Sequence, residues 1–405
     1  MTMQDDDILS ADVFQQLGHH DVFERLRADD PVHWHVDGAG NGFWCLTKHA
    51  DVQMANRDTD TFTVTRGFTL IDVDTDPLKG TMMLEMLPGM DGERHSRYRR
   101  IVNRGFTPKT LRLIEDHLRH KAKVIVDNVI DRGHADFVDD IAAELPLQAI
   151  CELVGVPDED THRVLAWGNA MTGIDDPNIG DIEVGMNEAM ELLLYANELK
   201  LLRAADPKDD IITKLTNAAA DEEGLTDAEL GFFFILLVVA GNETTRNATA
   251  HGMQALLANP DQLAKLQADP SPERIERAVE EILRWSTPIL YFRRTATRDV
   301  ELRGKTIKQG DWVVLWYASA NRDEEVFPEP FTFDIDRWPN DHVTFGGGGP
   351  HFCLGANLAR MELRLIFTEL MSRLPHLRAD GEADMLRSNF IGGIKHLPVR
   401  WDEPG

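Results

Sequence analysis

The sequence has few cysteines, and their number is wrong for a disulfide framework. Only three occur in 405 residues, at Cys45, Cys151 and Cys353. A sparse, odd set favours a reducing compartment over a secreted, cross-linked protein. Cys45 and Cys151 lie in apolar runs and are predicted to be inert core thiols, because free cysteine packs like a small hydrophobic residue. Cys353 lies instead in a glycine-rich loop beside a histidine.

Positive charge and long apolar runs are also scarce. The chain carries 42 Lys and Arg against 69 Asp and Glu, which gives a formal net charge of −27. Such an acidic protein repels nucleic acid and anionic membranes, which argues against both as partners. Met1 to Asp7 lacks the basic and apolar regions of a signal peptide. The longest apolar run, Phe232 to Ala240, is about half of the ~20 residues that a membrane span needs. We therefore predict a cytoplasmic protein without a membrane span.

Helical periodicity dominates the sequence that remains. No internal repeat, low-complexity segment or flexible linker interrupts it, so residues 1–405 are predicted to form one mainly α domain with a small β region. Amphipathic helices are predicted over Pro108 to Val129, Asp136 to Val154, Ile182 to Ala204, Pro272 to Trp285 and Ala356 to Leu374.

Strand signals are short and fall in two clusters. The first pairs Val32 to Val36 with Phe43 to Thr47 across a turn over 37–42. The second cluster comprises Asp299 to Leu302, Thr306-Ile307 and Trp312 to Tyr317.

One predicted helix carries unusual residues at its centre. Thr226 and Glu229 form a capping-box pattern, and nothing breaks the helix firmly until Asn259-Pro260. About thirty residues make a rod of roughly 45 Å, which is enough to cross the whole domain. Its first half is apolar on all sides, as a buried helix should be. Yet residues 240–245 read AGNETT, and an acid with two hydroxyls is poor chemistry for a core.

The loop that contains Cys353 reads FGGGGPHFCLG from Phe345 to Gly355, and a predicted helix follows it. Glycines allow a backbone to pass close to a large flat ligand. A cysteine at a helix N-terminus has its thiolate favoured by the helix dipole and by free N–H donors. The alternative is a flexible glycine loop that contains a cysteine by chance.

This loop resembles the cysteine-ligand loop of the cytochrome P450 family. The resemblance implies that the Cys353 thiolate is the proximal iron ligand of haem b, iron protoporphyrin IX, and that His351 contacts a haem propionate. The usual signature places a phenylalanine seven residues before the cysteine, whereas Phe345 lies eight before it. The extra glycine affects the placement of Phe345 but leaves the spacing of His351, Cys353 and Gly355 unchanged.

The centre of the long helix resembles the oxygen-binding groove of the same family. The resemblance implies that small Ala240 and Gly241 let the helix approach the haem, that Thr244 hydrogen-bonds the oxygen ligand, and that Glu243 supplies protons through water. The alternative is purely local. A threonine can bond back to a helix carbonyl, and Glu243 can pair with Arg246.

Two further patterns match the family in the expected order. Glu281 and Arg284 would ordinarily be a surface pair on a helix. In the family such a pair supports the haem loop, so its implied role is structural. Buried propionates need cationic donors, and the resemblance assigns them to His95 and Arg99 on one helix face, to Arg294 and to His351. Arginines taken singly are usually solvated, so the joint pattern carries this prediction.

The resemblance implies a triangular, α-rich fold with a buried haem, and insertion of one atom of O2 into a C–H bond. The chain has no flavin-binding fingerprint and no iron–sulfur cysteine set, so a separate ferredoxin with its reductase is the expected electron donor. A local basic face would attract an acidic ferredoxin, although basic residues can also form an ordinary solvated face. Its members are Arg94, Arg97, Arg99, Arg100, Arg104, Lys109, Arg112, Arg119, Lys121, Lys123, Arg360 and Arg364.

The substrate is predicted to be lipophilic. Segments that line the pocket in this family are apolar here, and the helix-centre motif, the extra glycine and residues 391–395 resemble an actinobacterial branch. That branch oxidises sterol side chains and methyl-branched lipids, and terpenoid hydroxylases are similar. Alternatives are a haem-thiolate peroxygenase, a hydroxylase of smaller aromatic substrates, and a haem sensor or carrier. The apolar segments are Met82-Met83-Leu84, Phe234 to Val239, Pro288-Ile289-Leu290 and Asn389-Phe390-Ile391.

Overall fold

A computed structural model describes residues 7–36, 42–71, 77–172, 182–208, 210–218 and 225–401. The first six residues and most of the predicted turn over 37–42 lie outside these ranges. The helices are α1 Ala11–Gln15, α2 His19–Asp29, α3 His49–Arg57, α4 Pro77–Glu85, α5 Gly92–Val102, α6 Pro108–Val129, α7 Glu144–Val154, α8 Thr161–Thr172, α9 Ile182–Ala205, α10 Ile211–Ala218, α11 Asp227–Ala258, α12 Pro260–Ala268, α13 Pro272–Ser286, α14 Tyr317–Ala320 and α15 Ala356–Arg373. The strands are β1 Val32–Val36, β2 Gly42–Leu46, β3 Phe62–Thr63, β4 His134–Asp136, β5 Tyr291–Ala296, β6 Val300–Leu302, β7 Lys305–Ile307, β8 Trp312–Trp316, β9 Arg378–Ala379, β10 Asp384–Met385, β11 Ile394–His396 and β12 Pro398–Arg400.

Helix α11 runs through the centre of the fold, as predicted. Its capping box is present: the Glu229 N–H donates to Thr226 Oγ1 at 3.2 Å, and the Thr226 N–H donates to the Glu229 carboxylate at 2.9 Å. By length and composition alone this helix could cross a membrane, but 56% of its most apolar window is buried. Helices α7, α8, α9, α13 and α15 pack around it. It therefore packs as a core helix of this fold.

A five-stranded sheet lies beside the helical core, with strand order β1-β2-β8-β5-β3. Strands β2 and β8 are parallel, and the other neighbours are antiparallel. Strand β8 is buried on both faces, because its alternate residues point to opposite faces of the sheet and pack into two different hydrophobic clusters. Val313 and Leu315 pack with side chains from α3, whereas Val314 and Trp316 pack with side chains from α1 and α2. The sheet thus fixes α3 on one face and the amino-terminal helices on the other.

One predicted helix boundary was wrong, and one strand was missed. The helix predicted from Asp136 begins only at Glu144, because β4 pairs residues 134–136 with β12 and a π-helical turn covers Val138–Ala142. Strand β5 was not predicted, since its adjacent arginines break the apolar pattern of a buried strand. The partners of both segments lie far away in the chain, so local patterns could not reveal them.

Buried histidines should make the fold sensitive to acid. Burial, with Arg322 nearby, lowers the pKa of His19 to about 3, and burial lowers the pKa of His251 to about 4. A neutral buried imidazole stabilises the fold fully above the unfolded pKa near 6.5 and loses that contribution as the pH falls. We expect the unfolding free energy to fall by about 2 kcal/mol for each of these two histidines when the pH is lowered from 7 to 5.

Urea unfolding at these two pH values measures this effect. His251→Gln should reduce the pH dependence by about the contribution of one ring. His120 is exposed, so His120→Gln is the matched control and should leave the dependence unchanged. Equal pH dependence in all three proteins would contradict the assignment.

Candidate functional site

Cys353 differs from the other two cysteines in its surroundings. Cys45 and Cys151 are buried, and burial raises the pKa of each thiol to about 12, which confirms them as core residues. Cys353 has accessible surface, yet protein groups surround it closely enough that desolvation raises its pKa. The backbone N–H groups of Gly355 and Ala356 at the start of α15 oppose that shift and favour the thiolate.

The glycine loop before Cys353 is shaped by its contact with α3. Gly346, Gly347, Gly348 and Gly349 all have positive φ, between 64° and 101°. A Cβ on Gly349 would lie only 2.6 Å from the backbone oxygen of Asn56. The loop therefore needs glycine for backbone conformation and for close packing on α3. That these glycines also let the backbone approach a flat ligand stays a prediction.

Phe345 is well packed in spite of the extra glycine. Its carbonyl oxygen accepts a hydrogen bond from the Cys353 N–H at 3.0 Å, and its ring packs against the main core. The Arg360 guanidinium lies 4.5 Å from the ring centroid and also pairs with both carboxylate oxygens of Glu280, at 2.6 and 2.9 Å. Arg360 is thus committed within the protein and is not a free docking cation.

The predicted cationic residues of α5 meet the cysteine loop. The His95 and His351 rings lie 4.5 Å apart, and the Arg99 guanidinium donates to the carbonyl oxygen of Phe352. Asp91 holds His351 through a 2.8 Å contact between Asp91 Oδ1 and His351 Nε2. Burial, with His351 and Arg99 nearby, lowers the pKa of His95 to about 4. Sequence reasoning missed the role of Asp91, although it belongs to the same motif as His95.

Arg294 reaches the same region from β5. Its side chain is buried, with one guanidinium nitrogen donating to Asn56 Oδ1 and another to the Arg293 carbonyl, both at 2.9 Å. Arg294 Nε and His95 Nε2 are buried and have no hydrogen-bond partner among the described residues. Unpartnered buried donors are rare, and here they lie with a thiol and several cations. This donor set fits haem, with a thiolate for the iron and N–H groups for its two propionates.

One face of α11 is open in an otherwise buried helix. Ala240 is exposed, and Leu236, Val239 and Thr244 are partly exposed on the same side. This pattern agrees with the prediction for Ala240. Gly241 has a different role, because a Cβ at that position would lie 2.3 Å from Ile150 Cδ1 of α7. The expectation that Gly241 faces the cofactor was therefore wrong.

Glu243 and Thr244 of α11 make the local contacts that the sequence offers as the alternative. Thr244 Oγ1 donates to the Ala240 carbonyl at 2.7 Å, and Glu243 pairs with Arg246 at 2.7 Å. Neither contact joins α11 to the cysteine loop. The adjacent Thr245 does approach α15, where it lines a small cavity together with Glu362. Thr244 differs from an ordinary helical threonine because it lies on the open face of α11.

Glu281 and Arg284 form a fully buried ion pair rather than a surface pair. The Arg284 guanidinium donates to both Glu281 oxygens, at 2.7 and 2.8 Å. It also donates to the carbonyl oxygen of Asn321, whose side chain accepts the Val343 N–H at 2.7 Å. Because Val343 leads into the cysteine loop, this network connects α13 to the loop, which agrees with the predicted structural role.

Ion pairs neutralise part of the basic face that the sequence predicts. Arg94 pairs with Glu85, and Arg97 pairs with Glu229 at 3.1 Å. The exposed cations without an ion pair in the described part of the chain include Arg104, Lys109 and Arg112. These three residues, here called the basic cluster, surround the junction of α5 and α6.

Comparison with known proteins agrees with this geometry. The family model for cytochrome P450 matches residues 273–392. The chain is 44% identical to the steroid C26-monooxygenase of Mycolicibacterium smegmatis, over 94% of this chain and 90% of that protein. It is 45% identical to the methyl-branched lipid omega-hydroxylase of Mycobacterium tuberculosis, over the same shares.

A solved structure shows the same fold. The Mycobacterium marinum cytochrome P450 in complex with pseudoionone superimposes with a TM-score of 0.89 at 38% identity, and the match covers 97% of each chain. Identity at this level over nearly the whole length is decisive for the family. The protein belongs to the cytochrome P450 family, as a monooxygenase whose cofactor is protoporphyrin IX haem.

Proposed function

We propose that this cytochrome P450 hydroxylates a lipophilic substrate such as a sterol side chain, a methyl-branched lipid or a terpenoid. The open face of α11 carries the proposal, because it presents Leu236, Val239 and Ala240 beside Thr244. The relatives named for steroid and methyl-branched lipid substrates support the same class. An apolar lining selects by shape and by the apolar area that leaves water, at about 25 cal/mol per Å².

A second apolar segment supports this substrate class. Ile289 pairs with Ile391 through an isolated β-bridge, and the Leu290 N–H donates to the Phe390 carbonyl at 2.9 Å. These residues are those that the family resemblance assigns to the pocket wall. A benzoate-type acid is so short that its carboxylate would be desolvated against such a wall, which is costly, whereas a long-chain fatty acid can contact the wall with its chain and keep its carboxylate in water.

We assign roles to the site residues as part of this proposal. Cys353 would hold the haem iron, and His95, Arg99, Arg294 and His351 would hold the propionates. When bound, haem supplies the activation of dioxygen, so that one oxygen atom enters a C–H bond and the other leaves as water. The protein's own residues would exclude water from the haem site with the apolar face of α11, and would hold protons beside that face.

Thr244 and Glu243 would manage those protons. The Thr244 hydroxyl lies on the open face and can rotate away from the Ala240 carbonyl to donate elsewhere. Glu243 is buried beside Arg246, 2.7 Å from its guanidinium, where its carboxyl group would relay protons between water and the open face. Proton delivery of this kind accelerates a reaction by roughly 10² to 10⁴.

We propose that electrons come from a ferredoxin with its reductase, in the cytoplasm. The chain as a whole has a net charge of −27, but the basic cluster of Arg104, Lys109 and Arg112 is locally positive. This local charge supports a docking site for an acidic partner. The electron source separates this proposal from a peroxygenase. Turnover should require NADH with a surrogate ferredoxin system, and comparable turnover with hydrogen peroxide alone would favour the peroxygenase.

The substrate class is tested by ligand titrations. Sterols, methyl-branched fatty acids and terpenes should convert the haem from low spin to high spin, because a ligand over the iron expels its bound water. Benzoate-type acids at matched concentrations should produce little change. Absorption spectroscopy measures the conversion directly. Tight high-spin shifts with aromatic acids and none with the lipophilic set would overturn the substrate class and leave the haem assignment intact.

Thr244→Ala is expected to bind substrate normally and to consume NADH, but to release most of the reducing equivalents as hydrogen peroxide. Without the hydroxyl, protons are delivered without direction, so hydroxylation and cofactor use become uncoupled. The ratio of product to NADH measures this. Thr249 makes the same bond one turn later, donating to the Thr245 carbonyl at 2.8 Å in a buried position, so Thr249→Ala is the matched control. Unchanged coupling in Thr244→Ala would refute the assigned role.

A further inference from the structure

Asn56, near the end of α3, links two parts of the site that sequence reasoning treated separately. Its side chain is buried, and its Oδ1 accepts hydrogen bonds from the Arg294 guanidinium at 2.9 Å and from the Tyr317 hydroxyl at 3.1 Å. Its backbone oxygen faces Gly349 of the cysteine loop. One residue of α3 therefore contacts the arginine of β5, the tyrosine of α14 and the loop before Cys353.

The orientation of the Asn56 carboxamide follows from these partners. A guanidinium can only donate hydrogen bonds, so the atom of Asn56 that faces Arg294 must be the oxygen. The nitrogen, Asn56 Nδ2, consequently points away from that contact. It is buried and has no hydrogen-bond partner among the described residues. A buried amide group without an acceptor costs about 1 to 3 kcal/mol, so an acceptor is expected at this position.

Arg294 lacks an acceptor in the same way. Arg294 Nε also lacks a partner in the described part of the chain, and the two groups are joined by one hydrogen bond. Both unpartnered atoms are N–H donors, and desolvation lowers the pKa of Arg294 without removing its charge. Two hydrogen-bonded side chains that each carry an unpartnered N–H donor suit an anion with two oxygen atoms, such as a carboxylate.

We propose that Asn56 is a further haem-propionate ligand, which donates through Nδ2 to the carboxylate that Arg294 binds. This rests on the proposed function, in which Arg294 holds a propionate. Asn56 then has two tasks on one amide group: Oδ1 orients Arg294, and Nδ2 binds the cofactor. The sequence around α3 offers no pattern that marks such a residue.

Asn56→Asp tests the donor specifically. Aspartate keeps the shape of the side chain and the oxygen that receives Arg294, but it replaces the Nδ2 donor with a negatively charged oxygen. We expect the transfer of haem from the intact holoprotein to apomyoglobin to become about tenfold faster, because a hydrogen bond to a charged group is lost. The reduction potential of the haem should also fall, since added negative charge favours the ferric state.

Two variants control for other effects. Gln53→Glu adds the same charge to the same helix, and Tyr317→Phe removes the hydroxyl that contacts both Asn56 Oδ1 and Arg294 but leaves the Nδ2 donor in place. Both should keep haem transfer within about twofold of the wild type, well under the tenfold expected for a lost charged hydrogen bond. If Asn56→Asp also stays in that range with an unchanged potential, Asn56 is not a propionate ligand, even if the variant is less stable.

Arg294→Ala separates this proposal from the one on which it rests. Fast haem loss in Arg294→Ala with normal loss in Asn56→Asp would overturn only the role of Asn56. Normal loss in both variants would remove the propionate site itself. Asn56→Leu, which removes both functions of the amide, should lose haem at least as fast as Asn56→Asp.

Discussion

Replacing Cys353 with histidine should abolish the red-shifted Soret band that a haem-thiolate protein shows when it is reduced and bound to CO. The band depends on the negative sulfur ligand, and a neutral imidazole cannot supply the same electron density. Monooxygenase turnover should fall to background at the same time. The reduced CO difference spectrum, with haem content measured separately, gives the result.

The other cysteines provide the control. Cys45→Ala and Cys151→Ala remove buried thiols that burial holds in the neutral form, so both variants should keep the thiolate spectrum. A wild-type spectrum like that of CO-myoglobin, or a thiolate band that survives in Cys353→His, would show that Cys353 does not hold the iron.

Glu281→Gln should destabilise the protein more than any change on the exposed side of α13. Glu281 is fully buried and accepts hydrogen bonds from Arg284, from Arg337, from Asn340 Nδ2 at 3.0 Å and from the Asp334 N–H at 3.0 Å. Removing its charge leaves the buried Arg284 uncompensated, at a cost of about 3 to 5 kcal/mol. Loss of the link through Asn321 should also lower haem incorporation.

A matched change lies on the same helix. Glu273 pairs with Arg277 at 2.8 Å, but both side chains are exposed. Glu273→Gln should change the unfolding free energy by less than about 1 kcal/mol, since surface ion pairs contribute little. Urea unfolding monitored by the Soret absorbance and by far-UV circular dichroism compares the two variants. Similar losses in both would contradict the structural role assigned to the buried pair.

The sequence was sufficient for features whose partners are close in the chain. The capping box of α11 depends on Thr226 and Glu229, three residues apart, and the cysteine loop is one continuous segment. It was insufficient where a contact joins distant segments. Gly241 packs against Ile150, and the glycines before Cys353 pack against α3. Periodicity identifies a glycine but does not identify the neighbour that requires it.

The pairing of charged residues was also beyond prediction from the sequence. Arginines that form one cluster in the sequence have different fates in the fold, because pairing with Glu85, Glu229 or Glu280 depends on packing. Arg294 was expected at the site, but neither its strand nor its partner Asn56 could be predicted. That the chain forms a single domain stays a prediction.

The four glycines before Cys353 also bear on the order in which the protein assembles. Glycine loses more conformational entropy on folding than any other residue, so ordering four consecutive glycines is costly. The contacts that offset this cost come from Asn56 and Arg57, almost three hundred residues earlier in the chain. Contacts of such long range carry a large entropic cost of closing the intervening chain into a loop, which favours their late formation. We therefore expect Cys353, the proposed iron ligand, to be among the last residues to take its place, so that the cofactor is captured late in folding.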